Sequence, residues 1–190
     1  ISFGIEHGNE AFRRKWIQRP VSNELMEKNF KIVEASGIPF SVNNILGFPH
    51  ETEELAFDTI RFNRLINAND RNAYAFTPFH GTPLREECER LGFLKYEDLS
   101  RSLLVGIDES PLDMPQFPLE RVQALVKTFN MYVKFPESRW PEIKKAEEET
   151  PEGNKAYERL KAEFMDRFWE ESDEDFEAAA MEKTTGKSMA

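Results

Sequence analysis

Three short apolar runs constrain this chain more than any other feature. Each is closed by a polar loop containing Gly or Pro and followed by a helix-forming stretch. They begin at residues 1, 39 and 73, so their starts lie 38 and 34 residues apart. A βα unit of a barrel takes about 30 residues, and parallel strands need crossovers of that kind. The expectation is therefore an α/β protein with parallel strands.

The first run, Ile-Ser-Phe-Gly-Ile, reads as a buried strand ended by the turn residues Glu6-His7-Gly8-Asn9. A short basic helix follows near Glu10 to Ile17, stopped by Pro20, and Ser22 is the expected N-cap of the next helix. That helix shows an apolar stripe of Leu25, Phe30, Ile32 and Val33 and ends at Gly37. Pro39 to Leu46 is the second strand, broken by Gly47-Phe48-Pro49. Glu51 to Asn67 is the next helix, with Glu51 and Thr52 placed to start it, where a carboxylate suits the dipole. Ala73 to Thr77 is the third strand, and Thr82 to Leu91 a short helix holding Cys88 as a partly buried thiol.

The period then stops. Residues 95 to 117 are mixed, and Leu119 to Phe135 is a strongly amphipathic helix. Two more helices are expected near Ser138 to Glu148 and Gly153 to Trp169. Six of the eight residues from Glu170 to Glu177 are acidic, which reads as a disordered tail. The expected parts are residues 1–94, a helical region 95–169 and a tail 170–190.

Composition narrows the function classes. The net charge is −10, and the best basic cluster, Arg13, Arg14, Lys15 and Arg19, is short, which argues against nucleic acid as a partner. No apolar run reaches the roughly 20 residues of a membrane helix. Cys88 is the single cysteine, so no intrachain disulfide and no cysteine-held cluster can form within the chain. These features suit a reducing, cytoplasmic setting. The opening Ile1, with no signal-peptide pattern, reads as a chain that begins inside a larger protein.

The loops after the three runs carry more specific wording. Gly4-Ile5-Glu6 with Asn9, then Gln18-Arg19-Pro20, resembles the fourth-strand segment of radical S-adenosylmethionine (radical SAM) enzymes. Asn43-Asn44-Ile45-Leu46-Gly47-Phe48-Pro49-His50-Glu51-Thr52 is similar to their fifth-strand motif. Phe76-Thr77-Pro78-Phe79-His80-Gly81-Thr82-Pro83-Leu84 is similar to their sixth-strand segment. The three matches stand in the right order and span about residues 1 to 94.

The resemblance implies the last three βα units of a partial (β/α)6 TIM-like barrel, followed by a mainly helical C-terminal region. It implies S-adenosylmethionine (SAM) as cofactor and a [4Fe–4S] cluster whose ligands lie outside this chain, in a missing N-terminal half of the same protein. An electron donor and a small-molecule substrate complete the partners. The reaction implied is generation of a 5′-deoxyadenosyl radical or transfer of a methyl group, with the substrate unspecified. Residues Thr128 to Pro136 and Ile143 to Glu147 are similar to the C-terminal region of cobalamin-binding radical SAM proteins, which implies cobalamin and methyl transfer for that subclass.

Residue by residue, the resemblance gives Glu6 a ribose or amine contact and Arg19 the methionyl carboxylate. Arg13 and Arg14 compete for that second role. Asn43 takes the ribose, Ile45 and Gly47 the adenine, and Thr77 belongs to the same cofactor-binding set. Strand alternation puts Ser41, Asn43 and Ile45 on one face and Val42 with Asn44 on the other. Asn44 is then expected to be buried with hydrogen-bond partners.

Two other readings compete. His7, His50 and His80 all follow predicted strands, so they could converge on a metal in a barrel enzyme. The acidic helical C-terminal part would also suit a non-catalytic interaction module. With one cysteine, this chain on its own should hold no iron–sulfur cluster after anaerobic reconstitution; a stoichiometric four-iron signal would overturn that expectation.

Overall fold

The computed structural model describes residues 1–94 and 112–169. The mixed stretch 95–111 and the acidic tail 170–190 lie outside the described residues. The chain divides into two compact units, Ile1–Val133 and Lys134 onward.

Strands β1 (Ser2–Glu6), β2 (Ser41–Leu46) and β3 (Asp70–Ala75) form a parallel sheet in the order β1-β2-β3. Helix α1 (Glu10–Phe12) runs into a π-helical turn, Arg13–Ile17, and is followed by α2 (Asn23–Ala35). Helix α3 (Glu53–Asn63) joins β2 to β3, and α4 (Pro83–Arg90) and α5 (Leu119–Lys134) follow. The N-cap expected at Ser22 is present, and three further caps join it. Asn9, Ser22, Thr52 and Thr82 each accept a backbone N–H in the first turn of their helix. Gly37 follows α2 at φ +66°, a left-handed conformation that glycine adopts without a Cβ penalty.

Ile5, Val42 and Phe40 meet Phe30 of α2 and Phe62 and Ile66 around α3 in one core, with Phe3, Met26 and Val33 packed against it. The Phe3, Phe30 and Phe40 rings lie 5.7–6.0 Å apart. The α2 stripe is thus corrected. Phe30 and Val33 face the sheet together with Met26, while Leu25 and Ile32 are 48% and 62% exposed. Residues 25 and 32 are seven apart and share the outer face.

Side chains alternate along the strands as expected. Val42, Asn44 and Leu46 are fully buried on the helical side, and Ser41, Asn43 and Ile45 lie on the other, half-buried face. Asn44 exchanges hydrogen bonds with Asn63 of α3 at 3.2 and 2.7 Å and also donates to the Asn72 carbonyl at 3.1 Å. Two asparagines in a strand are therefore both explained, one by a buried amide pair and one by the opposite face.

Helix α5 belongs with the sheet. Its Tyr132 ring packs on Phe57 of α3 at 5.1 Å. Its last carbonyls, those of Tyr132 and Val133, accept from Arg64 at 2.7 and 2.8 Å. In the second unit a short 3-10 turn, Glu137–Arg139, leads into α6 (Trp140–Ala146) and α7 (Pro151–Phe164), which ends in a π-helical turn, Met165–Trp169. Arg139 binds Glu163 with both terminal nitrogens at 3.0 and 2.9 Å and clips these helices together.

Asn44→Leu should cost about 1–3 kcal/mol of stability, because it strands the Asn63 amide and the Asn72 carbonyl away from water. Denaturant unfolding checks this, and an unchanged midpoint would mean that the amide pair carries no weight.

Candidate functional site

The C-terminal ends of the three strands are where a parallel α/β sheet keeps its ligands. Backbone strain concentrates there. Among the described residues, the non-glycine residues with positive φ are Glu6 (+65°), Gln18 (+57°) and His50 (+69°). Each such conformation costs on the order of 1–3 kcal/mol, and it persists only where its surroundings hold it.

At Glu6 the cause is a bulge. The β1–β2 register runs Gly4 to Asn43 and then Glu6 to Asn44, so Ile5 is the extra residue. Ile5 turns into the core, and the Glu6 carboxylate folds back over Gly4. A Cβ on Gly4 would stand 2.4 Å from Glu6 Oε1, so the glycine makes room for the carboxylate. Gln18 closes the π-helical turn in left-handed geometry. The next residue, Arg19, reaches back to donate to the Gly4 carbonyl at 3.1 Å and to pair with Glu6 at 3.1 Å. Both residues assigned to the cofactor thus meet each other above the first strand. Glu6 is largely shielded and Arg19 about half exposed.

The competing arginines have other work. Arg13 is buried and donates to the carbonyls of His7 and Val21 and to Asn23 Oδ1. Burial pushes its pKa below the usual arginine value. Arg14 is exposed and pairs with Glu10.

Asn43 continues the polar row on the same face. It donates to Ser2 Oγ at 3.0 Å and accepts from Asn72 Nδ2 at 3.1 Å. Ile45 sits one position further on, opposite Tyr74 of β3. Gly47 lies elsewhere in kind: it is buried at φ +86°, and a Cβ there would meet Val122 of α5 at 2.9 Å. The positive φ and the close approach of α5 both call for glycine here. Thr77 is half-buried beyond the end of β3.

The three histidines do not converge. His7 is fully buried and its Nε2 lies 3.0 Å from Glu51 Oε1. Its Nδ1 accepts from the Asn9 N–H, so the neutral ring carries its proton on Nε2 and donates it to Glu51. His50 stacks on Trp16 at 3.9 Å and bonds Glu87 of α4 at 2.5 Å. Arg90 and His50 hold the Glu87 carboxyl down at about 2. His80 is exposed on its loop. Among the described residues no group of three His, Cys, Asp or Glu could hold a metal ion. The three-histidine metal reading is overturned.

Glu51 is also corrected. It does not start α3; it lies before the Thr52 cap, fully buried. Its Oε2 accepts from the Gly47 and Phe48 N–H groups at 2.5 and 2.9 Å, while Oε1 meets His7. It therefore ties the loop after β1 to the loop after β2. Gly8 lies so close to α3 that a Cβ would stand 2.4 Å from the Asp58 carbonyl, which fixes the first loop on that helix. Cys88 is fully buried rather than partly so, and burial pushes its thiol up to about 12.

Sequence reasoning missed His7–Glu51, Asn72 and Trp16. Only Trp16 had a local signal, an aromatic in a basic stretch four residues before a proline.

No protein-family model matches the chain. Among curated proteins, the tRNA-2-methylthio-N(6)-dimethylallyladenosine synthase of Halalkalibacterium halodurans is 26% identical to it over 129 residues. The match takes in 67% of this chain and 24% of that relative, so the matched part is about a quarter of the relative's length. The similarity supports a relationship to the radical SAM superfamily, and it carries nothing about cobalamin. No helix among the described residues is long and apolar enough to cross a membrane.

Glu51→Ala removes one acceptor from three buried donors. It should destabilise the protein by several kcal/mol, because it strands three buried donors at about 1–3 kcal/mol each. A loss under about 1 kcal/mol in denaturant unfolding would place the pair in water's reach.

Proposed function

We propose that this chain forms the SAM-binding C-terminal half of a radical SAM barrel. The observation that carries the reading is the Glu6–Arg19 pair. Two left-handed residues and a bulge, Glu6, Gln18 and Ile5, bring it onto the open face of the sheet beside Asn43. The three strand-end motifs and the similarity to a methylthio-transferring synthase agree with this reading.

The residues present fit SAM. A guanidinium suits a carboxylate by charge-assisted, two-point hydrogen bonding. The Glu6 carboxylate accepts from hydroxyl or ammonium groups, and the Asn43 amide both donates and accepts. Ile45 offers the apolar surface a purine needs. Bound SAM would supply a carbon-centred radical or a methyl group. This chain's share is to fix its amino-acid and ribose ends against the sheet.

The residues present do not fit an iron–sulfur cluster. Cys88 is buried, protonated and alone. The proposal therefore puts the cluster ligands outside this chain, with an electron donor to feed them. The relative's name places its reaction on a tRNA base. The net charge of −10 favours a small-molecule substrate here over a polyphosphate chain.

Arg19→Ala in the cluster-bearing protein should weaken SAM binding by roughly tenfold or more, the loss of a hydrogen bond to a charged group of about 1.5–3 kcal/mol. Unchanged affinity at matched cluster content would remove Arg19 from the site.

A further inference from the structure

Helix α2 carries two stripes, and the sheet uses one of them. Met26, Phe30 and Val33 turn inward. Leu25, Lys28, Ile32 and Ala35 are all exposed and recur at intervals of three, four and three residues. That spacing is the seam of a paired helix, with Lys28 as its one charged member. An outer face that met only water would be polar at these positions.

The N-terminal end of this face is anchored. The Asn23 amide donates to the Gly8 carbonyl, its backbone N–H donates to Glu10, and Arg13 donates to the Val21 carbonyl. A partner therefore meets a preformed surface and orders little on binding. The charge of the face is also unlike that of the whole chain. Its groove is lined by Glu24, Glu27, Lys28, Lys31, Ile32 and Ala35, two acids against two bases, whereas the chain carries −10. The general repulsion between two acidic copies is least at such a balanced face.

The order of these charges selects a direction. With Leu25 and Ile32 as the a positions of a heptad and Lys28 as d, Glu24 and Lys31 are the g positions that flank the seam. Two α2 helices running antiparallel, with Leu25 against Lys28 of the second copy, bring Glu24 of each onto Lys31 of the other. The two-fold axis makes this contact twice. The Lys28 stem lies along Leu25, and Ile32 falls toward Val21, itself 39% exposed. Lys31 already bonds Glu27 of its own helix at 2.6 Å, but an ammonium has three donors and keeps that bond. A register one heptad away sets Lys31 against Lys31. A parallel pair sets Glu24 and Lys31 against Asn29 and Ser36 and gains no ion pair.

We infer that the outer face of α2 is a self-association surface: two copies of this chain pair through antiparallel α2 helices, with Glu24 of each on Lys31 of the other. The inference does not rest on the SAM reading. Helix α2 has 13 residues and is roughly 20 Å long. A contact of that length falls below the roughly 1,200 Å² of a stable interface, so the dimer is weak and reversible.

Sedimentation equilibrium of the full chain, over roughly 10 µM to 1 mM, covers weak pairing. The samples are the native chain, Glu24→Lys, Lys31→Glu, an equimolar mixture of those two variants, and Ile32→Glu. All three positions are exposed, and circular dichroism with thermal melting checks that each variant keeps the fold. The native chain should show a concentration-dependent monomer–dimer equilibrium, and Ile32→Glu should abolish it. Each single charge reversal turns two attractions into two repulsions and should weaken pairing roughly tenfold. In the mixture the two altered chains complement each other, so pairing should return to within about threefold of the native chain. A chain that is monomeric throughout overturns the inference, whether the face is bare or covered by another part of the same chain. A dimer that survives Ile32→Glu places the contact elsewhere and overturns it too. Charge reversals without effect, or without recovery on mixing, overturn the antiparallel pairing.

Discussion

The buried contact between His7 and Glu51 is what the C-terminal edge of the sheet depends on. A carboxylate removed from water loses far more than a neutral group unless donors replace its hydration. Here three donors do so: the His7 ring and the backbone N–H groups of Gly47 and Phe48. Each donor belongs to a strand-end loop, so satisfying one carboxylate fixes two loops against each other. The effect spreads through His7. Its carbonyl accepts from buried Arg13, which sits at the start of the π-helical turn, and its ring stacks on Phe12 at 4.3 Å. A turn held at its base in this way can end in the left-handed Gln18 and return Arg19 to the first strand.

A second tie crosses the same edge at its rim. Trp16 of the π-helical turn lies on His50, and His50 bonds Glu87 of α4. One side chain from each of the three βα units meets there, and His50 holds its strained φ between two partners. The buried tie and the rim tie flank the half-buried face of the sheet that carries Ser41, Asn43 and Ile45.

Much of the fold was legible because it follows from local rules. Alternation put Asn43 and Asn44 on opposite faces, and the N-cap at Ser22 read directly from residue type. What was not legible depended on distance along the chain or on which side of a helix faced inward. His7 and Glu51 are 44 residues apart, and no local pattern couples them. Glu51 beside Thr52 looks like helix-start chemistry, yet the strand-end loop needed an acceptor more than the dipole needed a charge. In α2, Leu25 and Ile32 are as apolar as Met26 and Val33, and only the position of the sheet tells the inner face from the outer. The π-helical turn has no composition signal, so the path of Arg19 was visible only in three dimensions.

The pairing of Glu6 with Arg19 changes what the candidate site asks of a ligand. Read separately, each residue waits for its own partner on the cofactor. Brought together, they already neutralise each other at 3.1 Å. A ligand carboxylate must therefore compete with Glu6 for the guanidinium, and a ligand that offers only a carboxylate gains little over the pair it displaces. A ligand that also brings hydroxyl or ammonium donors gives the displaced Glu6 a new partner, so the exchange conserves hydrogen bonds. An amino-acid end joined to a ribose meets both conditions. A simple carboxylic acid meets one. The Glu6–Arg19 pair thus selects against small anions, although the exposed guanidinium taken alone would favour them.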